Sequence, residues 1–434
     1  MKDQLYLELL NEITSVPVID THEHLCAVEP AHDPQKDILQ EYLSHYMSSD
    51  LISSGLPIAD LNKIRGSGVS VKEKWDIVEP YWERCRFTGY GRALDLSVNK
   101  LYGADRIDGT TIESLNQKFK SRNKPGRYRH VLKDICGIEM CVLDAWDGRF
   151  ECDRTLFRRV WQILSYIIPM PEQIPEGGMD TVTWLEDKYN LRIKSLDDWI
   201  EAFRLELDDN LDHGIIGVKN ILAYFRSLRF EQVEYGTAKK RFTSDLNKWE
   251  KARGRNRINV RFSKVVQDFM MHYILGVLNE KELFIQIHTG ILEGSFQDIR
   301  RTNPSLLSNL FARYPAVRFD LFHIGYPYQA ETSALAKIHP NVFIDMCWSH
   351  IISPKAARSA LDEFLDAVPY NKISAFGGDY IFPDAIYGHL TIARENTAKV
   401  LSGKIKKGIL SIQDAAGIAE HLFNKNPRKI LNLQ

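Results

Sequence analysis

The chain has 434 residues, 44% hydrophobic and 26% charged, which is ordinary for a globular protein with a large buried core. A formal net charge of −1 at pH 7 leaves no long-range field to draw in nucleic acid or an anionic membrane, so neither is expected as a partner. The cysteines (Cys26, Cys85, Cys136, Cys141, Cys152 and Cys347) form no CxxC pair and read as reduced thiols of a cytoplasmic protein.

No run of about eighteen apolar residues occurs, and Met1 to Leu10 lacks an apolar signal-peptide core, so no membrane span or secretory leader is expected. The basic stretches Lys239-Lys240-Arg241 and Lys251 to Arg261 read as solvated surface. Leu5, Leu9 and Ile13 recur at helical spacing and predict a short amphipathic helix at the start. Ser15 to Asp20 is the first β-rich run, and it leads into Val18-Ile19-Asp20-Thr21-His22-Glu23-His24. Side chains alternate along a strand, so His22 and His24 point one way and Glu23 the other. Two imidazoles so placed can grip one metal ion, although a lone His-X-His arises by chance in many proteins.

Residues 25–133 then separate the first two strands, where a βα unit of about thirty residues would suffice. Their mixed helical and aromatic pattern, as in Trp75 to Trp82, predicts a helical insertion, either a lid or an oligomer-forming element. Further β-rich runs follow at Gly137 to Asp144, within Val160 to Ile168, and at Gly214 to Tyr224, Leu283 to His288, Val317 to His323, Val342 to Met346 and Ile373 to Phe376. Strands alternating with helices argue for a parallel sheet, and eight of them for a closed (β/α)8 TIM-type barrel over residues 1–434. The G-x-G-x-x-G loop that would favour an open sheet is absent after the first strand.

Polar residues able to bind metal stand at several strand ends: His22 and His24, His288, His323 and Asp379, with Lys219 inside the apolar fourth run. In a barrel those ends converge on one mouth, where catalytic sites form. Tyr224 and Arg226 follow the fourth strand, and the arginine could take a substrate carboxylate or make a surface ion pair. Trp348, Ser349 and His350 follow the seventh strand and line either pocket or core; Asp384 and Arg394 lie near the rim or cap helices. The remaining histidines, His32 and His45 among them, have no ligand-like setting.

With this set the chain resembles the amidohydrolase superfamily, in particular its amidohydrolase-2 branch of metal-dependent hydrolases. The resemblance rests on His22-X-His24, the single histidines, Asp379, and the stretches FIQIHTG (284–290), HIGYPY (323–328), FGGD (376–379) and NKNPRKI (424–430). GVKNILAYFRSL (217–228) is similar to nodulin-like amidohydrolase domains, and the long insertion resembles that of uronate isomerases. The resemblance implies one or two divalent ions, zinc expected, held by His22, His24, Asp379 and His288. It gives His323 as a second-site ligand or acid/base and Asp379 as ligand and general base. Lys219 would be a carbamylated bridging ligand, a substrate anchor, or a lysine reaching to solvent. The implied reaction is hydrolysis of an amide, ester or lactone of a small polar substrate by a metal-activated water, with isomerase or decarboxylase chemistry as the alternative. Barrels of this kind are often homo-oligomers, so one is expected here.

Overall fold

Eight parallel strands lie in sequence order around the molecule: β1 (Val18–Glu23), β2 (Ile138–Leu143), β3 (Phe157–Gln162), β4 (Ile215–Asn220), β5 (Phe284–Ile287), β6 (Arg318–Leu321), β7 (Val342–Asp345) and β8 (Ile373–Ser374). The structure, a computed structural model, describes residues 4–29, 36–145, 151–168, 180–252 and 261–433. The two ends of the sheet are joined by backbone hydrogen bonds from Thr21 N to Phe376 O (3.1 Å), Asp379 N to His22 O (2.8 Å) and His24 N to Tyr380 O (2.9 Å). The fold is therefore an α/β TIM-type barrel, closed by the segment that follows β8.

Register places chemistry at one level inside it. Gln162 pairs with Lys219, Lys219 with Gln286, and Gln286 with Asp320 on successive strands. Ile19, Val142, Val160 and Phe284 form a smaller apolar cluster with Ile430, Leu431 and Leu433 from the end of the chain. Most other buried apolar residues join one continuous core between strands and helices. Among the described residues no helix is long and apolar enough to cross a membrane.

Several element bounds differ from the sequence reading. The third strand is Phe157–Gln162, and Leu164–Ile167 inside the expected run is helical. A short, mainly apolar run such as Val160 to Ile168 carries no period that separates a strand from a buried helical turn. β1 extends through His22 to Glu23, while the fourth and sixth strands stop at Asn220 and Leu321 and turn into 3-10 helices.

Helix α1 (Gln4–Ser15) precedes β1, and the described residues between β1 and β2 are mainly helical: α2 (Ile38–Tyr42), α3 (Met47–Ser53), α4 (Ile58–Arg65), α5 (Val71–Cys85), α6 (Gly89–Tyr102) and α7 (Ile112–Arg122). α5 starts at a capping box between Ser70 and Glu73, the local reason the helix begins there. This segment is tied to the barrel at Asp384. The Asp384 carboxylate takes an ion pair from Arg127 (2.6 Å) and hydrogen bonds from the Tyr42 (2.8 Å) and Tyr102 (2.5 Å) hydroxyls. Arg127 also pairs with Glu41 at 2.6 Å, so one buried guanidinium serves two buried carboxylates. α6 lies so close to the Asp384–Lys406 helix that a Cβ on Gly388 would stand 1.8 Å from Ala93 O.

Candidate metal centre

The centre begins with how β1 holds the loop after β8. Asp20 accepts from Gly378 N (3.0 Å) and His22 N (3.2 Å), and Glu23 accepts from Tyr380 N (2.8 Å). Both carboxyls are fully buried, and burial raises Asp20 to about 6 and Glu23 well above its usual range. Glu23 thus points away from the two histidines and clamps the loop. Gly378 has no room for a side chain, since a Cβ would lie 1.8 Å from Glu23 Oε1. The next residue, Asp379, is held at φ +60° and delivered to the histidines of β1.

Each of four histidines has one ring nitrogen facing an acceptor. His24 Nδ1 donates to Asp144 O (3.0 Å), His323 Nδ1 to Cys347 O (2.9 Å) and His288 Nε2 to Ile291 O (2.8 Å). His22 Nδ1 donates to Gln286 Oε1 (3.2 Å), and the Gln286 amide is oriented because its nitrogen donates to Thr21 O at 3.0 Å. A carbonyl oxygen only accepts, so these contacts assign the proton to the outer nitrogen of each neutral ring. The inner nitrogens then offer lone pairs.

Those lone pairs crowd together. His22 Nε2 and His24 Nε2 are 3.3 Å apart, and His323 Nε2 and His288 Nδ1 are 3.1 Å apart. Asp379 stands between the pairs: Oδ1 is 3.2 Å from His24 and 3.8 Å from His22, and Oδ2 is 3.8 Å from His323. Burial drives the basicity of His22 and His288 well down, and that of His323 to about 4. Burial also lowers His24, but the Asp379 hydrogen bond and the Asp144 and Asp379 charges outweigh it and raise the net value. Burial raises Asp379, and the surrounding imidazoles more than reverse this, leaving it far below the usual carboxylate range. A proton on His24 relieves one of these contacts, whereas a divalent cation relieves several at once. The donor set of imidazole and carboxylate, each ring braced by an outer hydrogen bond, fits a metal with an open coordination position.

The Amidohydrolase family model matches residues 239–433, which include His288, His323 and Asp379. The match to the amidohydrolase family thus covers just under half of the chain. Among curated relatives, protein fluG of Emericella nidulans is 23% identical over 356 residues, 77% of this chain but 39% of fluG, so the chain spans well under half of that relative's length. Among solved structures, a uronate isomerase of Thermotoga maritima has a TM-score of 0.79 at 17% identity over 99% of this chain and 98% of its own. A glucuronate isomerase of Caulobacter crescentus has a TM-score of 0.75 at 15% identity, over 100% and 96%. A Lactobacillus casei protein described as a metal-dependent hydrolase has a TM-score of 0.67 at 16% identity, over 98% and 97%. At these identities the solved structures show a common fold.

The other candidates fall in two groups in this barrel. Lys219 is buried, its amine 3.4 Å from the centroid of the Phe322 ring, so it does not reach to solvent. Burial lowers its basicity against the pull of Asp379 and other acidic groups. The Tyr224 ring lies 4.7 Å from that of His288, and its hydroxyl accepts from Glu293 N at 3.0 Å. The Trp348 ring is 5.1 Å from that of His323 and stacks on Tyr46 at 4.3 Å. Arg226 is not brought to the centre. Its guanidinium is committed to Asp268 (2.7 Å), Gln267 (3.0 Å) and the carbonyls of Ser227 and Arg229. The guanidinium that the sequence offers for a substrate carboxylate is thus engaged by an acidic residue, an amide and two carbonyls of the chain itself. Ser349 and His350 spend their polar atoms on Met346 O and Ala375 O, and Arg394 reaches Cys136 O. His32 lies outside the described residues.

Four residues near the centre went unnoticed in the sequence. Asp144, 4.0 Å from His22 Nε2, directly follows β2 and would have been found by the strand-end rule itself. Gln286 stands one strand repeat before His288 on the same face. Cys347 follows β7 and joins His323 and Asp379 in one ligand-capable group. Tyr46 donates to Asp379 O at 2.6 Å from the segment before α3, and no sequence signal points to it.

Proposed function

We propose that the chain is a zinc-dependent hydrolase that opens an amide, ester or lactone of a small polar substrate. The observation that carries this reading is the convergence of the inner ring nitrogens of His22, His24 and His323 on the two oxygens of Asp379, with His288 Nδ1 beside His323. His22, His24 and Asp379 would hold the ion, with His323 and His288 across the carboxylate. When bound, such an ion supplies a water acidified from a pKa of about 15.7 toward about 7. Asp379 can accept the proton of the attacking water and return it to the leaving group, since Oδ2 faces away from the β1 pair toward His323. His323, an acceptor on the same side, positions that proton. Trp348 and Tyr224 flank His323 and His288 and keep bulk water off the reacting carbonyl. A cytoplasmic setting belongs to the same reading, supported by the buried thiols Cys136, Cys141 and Cys347, which stand outside any disulfide.

A second reading, isomerisation of a uronic acid, is favoured by the likeness to uronate isomerases along nearly the whole chain, the helical segment after β1 included. The same Asp379 and His323 would then move a proton between adjacent carbons. Metal analysis of the purified chain, followed by parallel assays on amide, ester and lactone panels and on hexuronates, separates the two. We expect bound zinc, hydrolysis, and a loss of at least about 100-fold in kcat for Asp379→Asn. Ketose formation from a uronate without hydrolysis replaces the first reading with the second. Absence of any bound metal together with an undiminished Asp379→Asn variant removes both.

A further inference from the structure

Asp379 offers its two oxygens in different directions: Oδ1 to His24 and His22, Oδ2 to His323. On the Oδ2 side stands a donor of another kind. The sulfur of Cys347, a ring nitrogen of His323 and a carboxylate oxygen of Asp379 lie within 4.8 Å of one another, all three residues buried. The sulfur is fixed from behind. Cys347 N donates to Asp345 Oδ1 (2.8 Å), Cys347 O accepts from His323 Nδ1 (2.9 Å), and a Cβ on Gly377 would stand 2.7 Å from the thiol.

We propose that His323, Cys347 and Asp379 form a second metal position with a thiolate ligand, bridged to the His22–His24 position through the Asp379 carboxylate. The proposal rests on reading the centre as a metal site and assigns Cys347 a role that neither the strand-end histidines nor Lys219 supplies. Ligands about 2.0 to 2.3 Å from zinc lie roughly 3.5 Å apart in a tetrahedral site, close to the 3.8 Å between His323 Nε2 and Asp379 Oδ2. As the metal–sulfur bond forms, the thiol gives up its proton to solvent. A soft thiolate beside imidazole selects zinc, cobalt or cadmium over magnesium and manganese. His288 Nδ1, 3.1 Å from His323 Nε2, is the nearest candidate for a fourth donor.

Titration of cobalt(II) into the metal-stripped full chain tests this through absorbance and metal stoichiometry. The expected result is an intense near-ultraviolet thiolate-to-cobalt charge-transfer band appearing with the second equivalent. Cys347→Ser should abolish that band and bind about one equivalent fewer, while keeping the weak visible bands of the first position. X-ray absorption on the zinc-loaded natural chain gives a check that needs no variant: a sulfur neighbour at about 2.3 Å. Cobalt binding without a charge-transfer band, or without a sulfur neighbour, overturns the thiolate position and leaves the first metal position standing. A second equivalent that depends on bicarbonate and on Lys219 instead overturns it in favour of a carbamate. A chain that binds no cobalt overturns both this proposal and the reading on which it rests.

Discussion

Single residues decide protonation here, because burial removes the solvent that would otherwise level it. Each histidine of the centre is read by its outer partner: a carbonyl at one nitrogen leaves a lone pair at the other. Glu206 shows the same effect away from the centre. It is buried under Tyr166, whose hydroxyl donates to it, and burial raises it from 4.5 to about 7, against the pull of Tyr166 and Lys188. The folded chain therefore keeps this proton up to about pH 7, while the unfolded chain releases it near 4.5. The stabilising contribution is complete below about 4.5 and falls as pH rises through about 7, by roughly 3 kcal/mol in total. Glu206→Gln keeps an acceptor for Tyr166 and should flatten this fall, read as urea midpoints at about pH 5 and about pH 8. An unchanged pH slope in the variant would place the effect elsewhere.

At the scale of elements, the helical segment after β1 is held to the barrel by close backbone approach as much as by charge. Gly388 N donates to Ser97 Oγ at 3.0 Å, and Gly388 leaves no space for a methyl group against Ala93. Gly388→Ala should push α6 off the Asp384–Lys406 helix and cost about 1 to 3 kcal/mol in a denaturant melt. Gly403 lies on the same helix with open space around it, so Gly403→Ala should instead stabilise by about 0.5 to 1 kcal/mol. A similar effect from both substitutions would show that helix propensity, not the contact with α6, is being measured. Seven of the eight strands were legible in the sequence because their apolar, β-branched runs are bounded by polar turns. The third was misplaced because the mainly apolar stretch Trp161 to Ile168, broken by Gln162 and Ser165, runs through both a strand end and a helical turn.

At the scale of the whole molecule, the barrel is closed by the loop that also carries Asp379, so the metal centre and the closure share their residues. An ion that binds only the folded chain stabilises it, by about 4 kcal/mol when its free concentration is a thousand times its dissociation constant. Stripping metal with a chelator should therefore lower the thermal midpoint by several degrees, and zinc should restore it. If elemental analysis confirmed removal while the midpoint stayed fixed, the crowded lone pairs would not be a metal-binding arrangement.

The sequence by itself determined the alternation of strands and helices, the barrel, and the strand ends on which His22, His24, His288, His323 and Asp379 stand. These follow from local period: two residues per repeat on a strand, and turns at its ends. It left open what each side chain would meet. Arg226 turned to Asp268, Lys219 was sealed beside Phe322, and Cys347 and Gln286 came to the histidines, all through contacts between elements far apart in the chain. Asp379 and His22 are joined across the closing seam of the barrel. Only tertiary structure decides such pairings, because direction is set by the nearest few residues and partnership by the packing of the whole barrel.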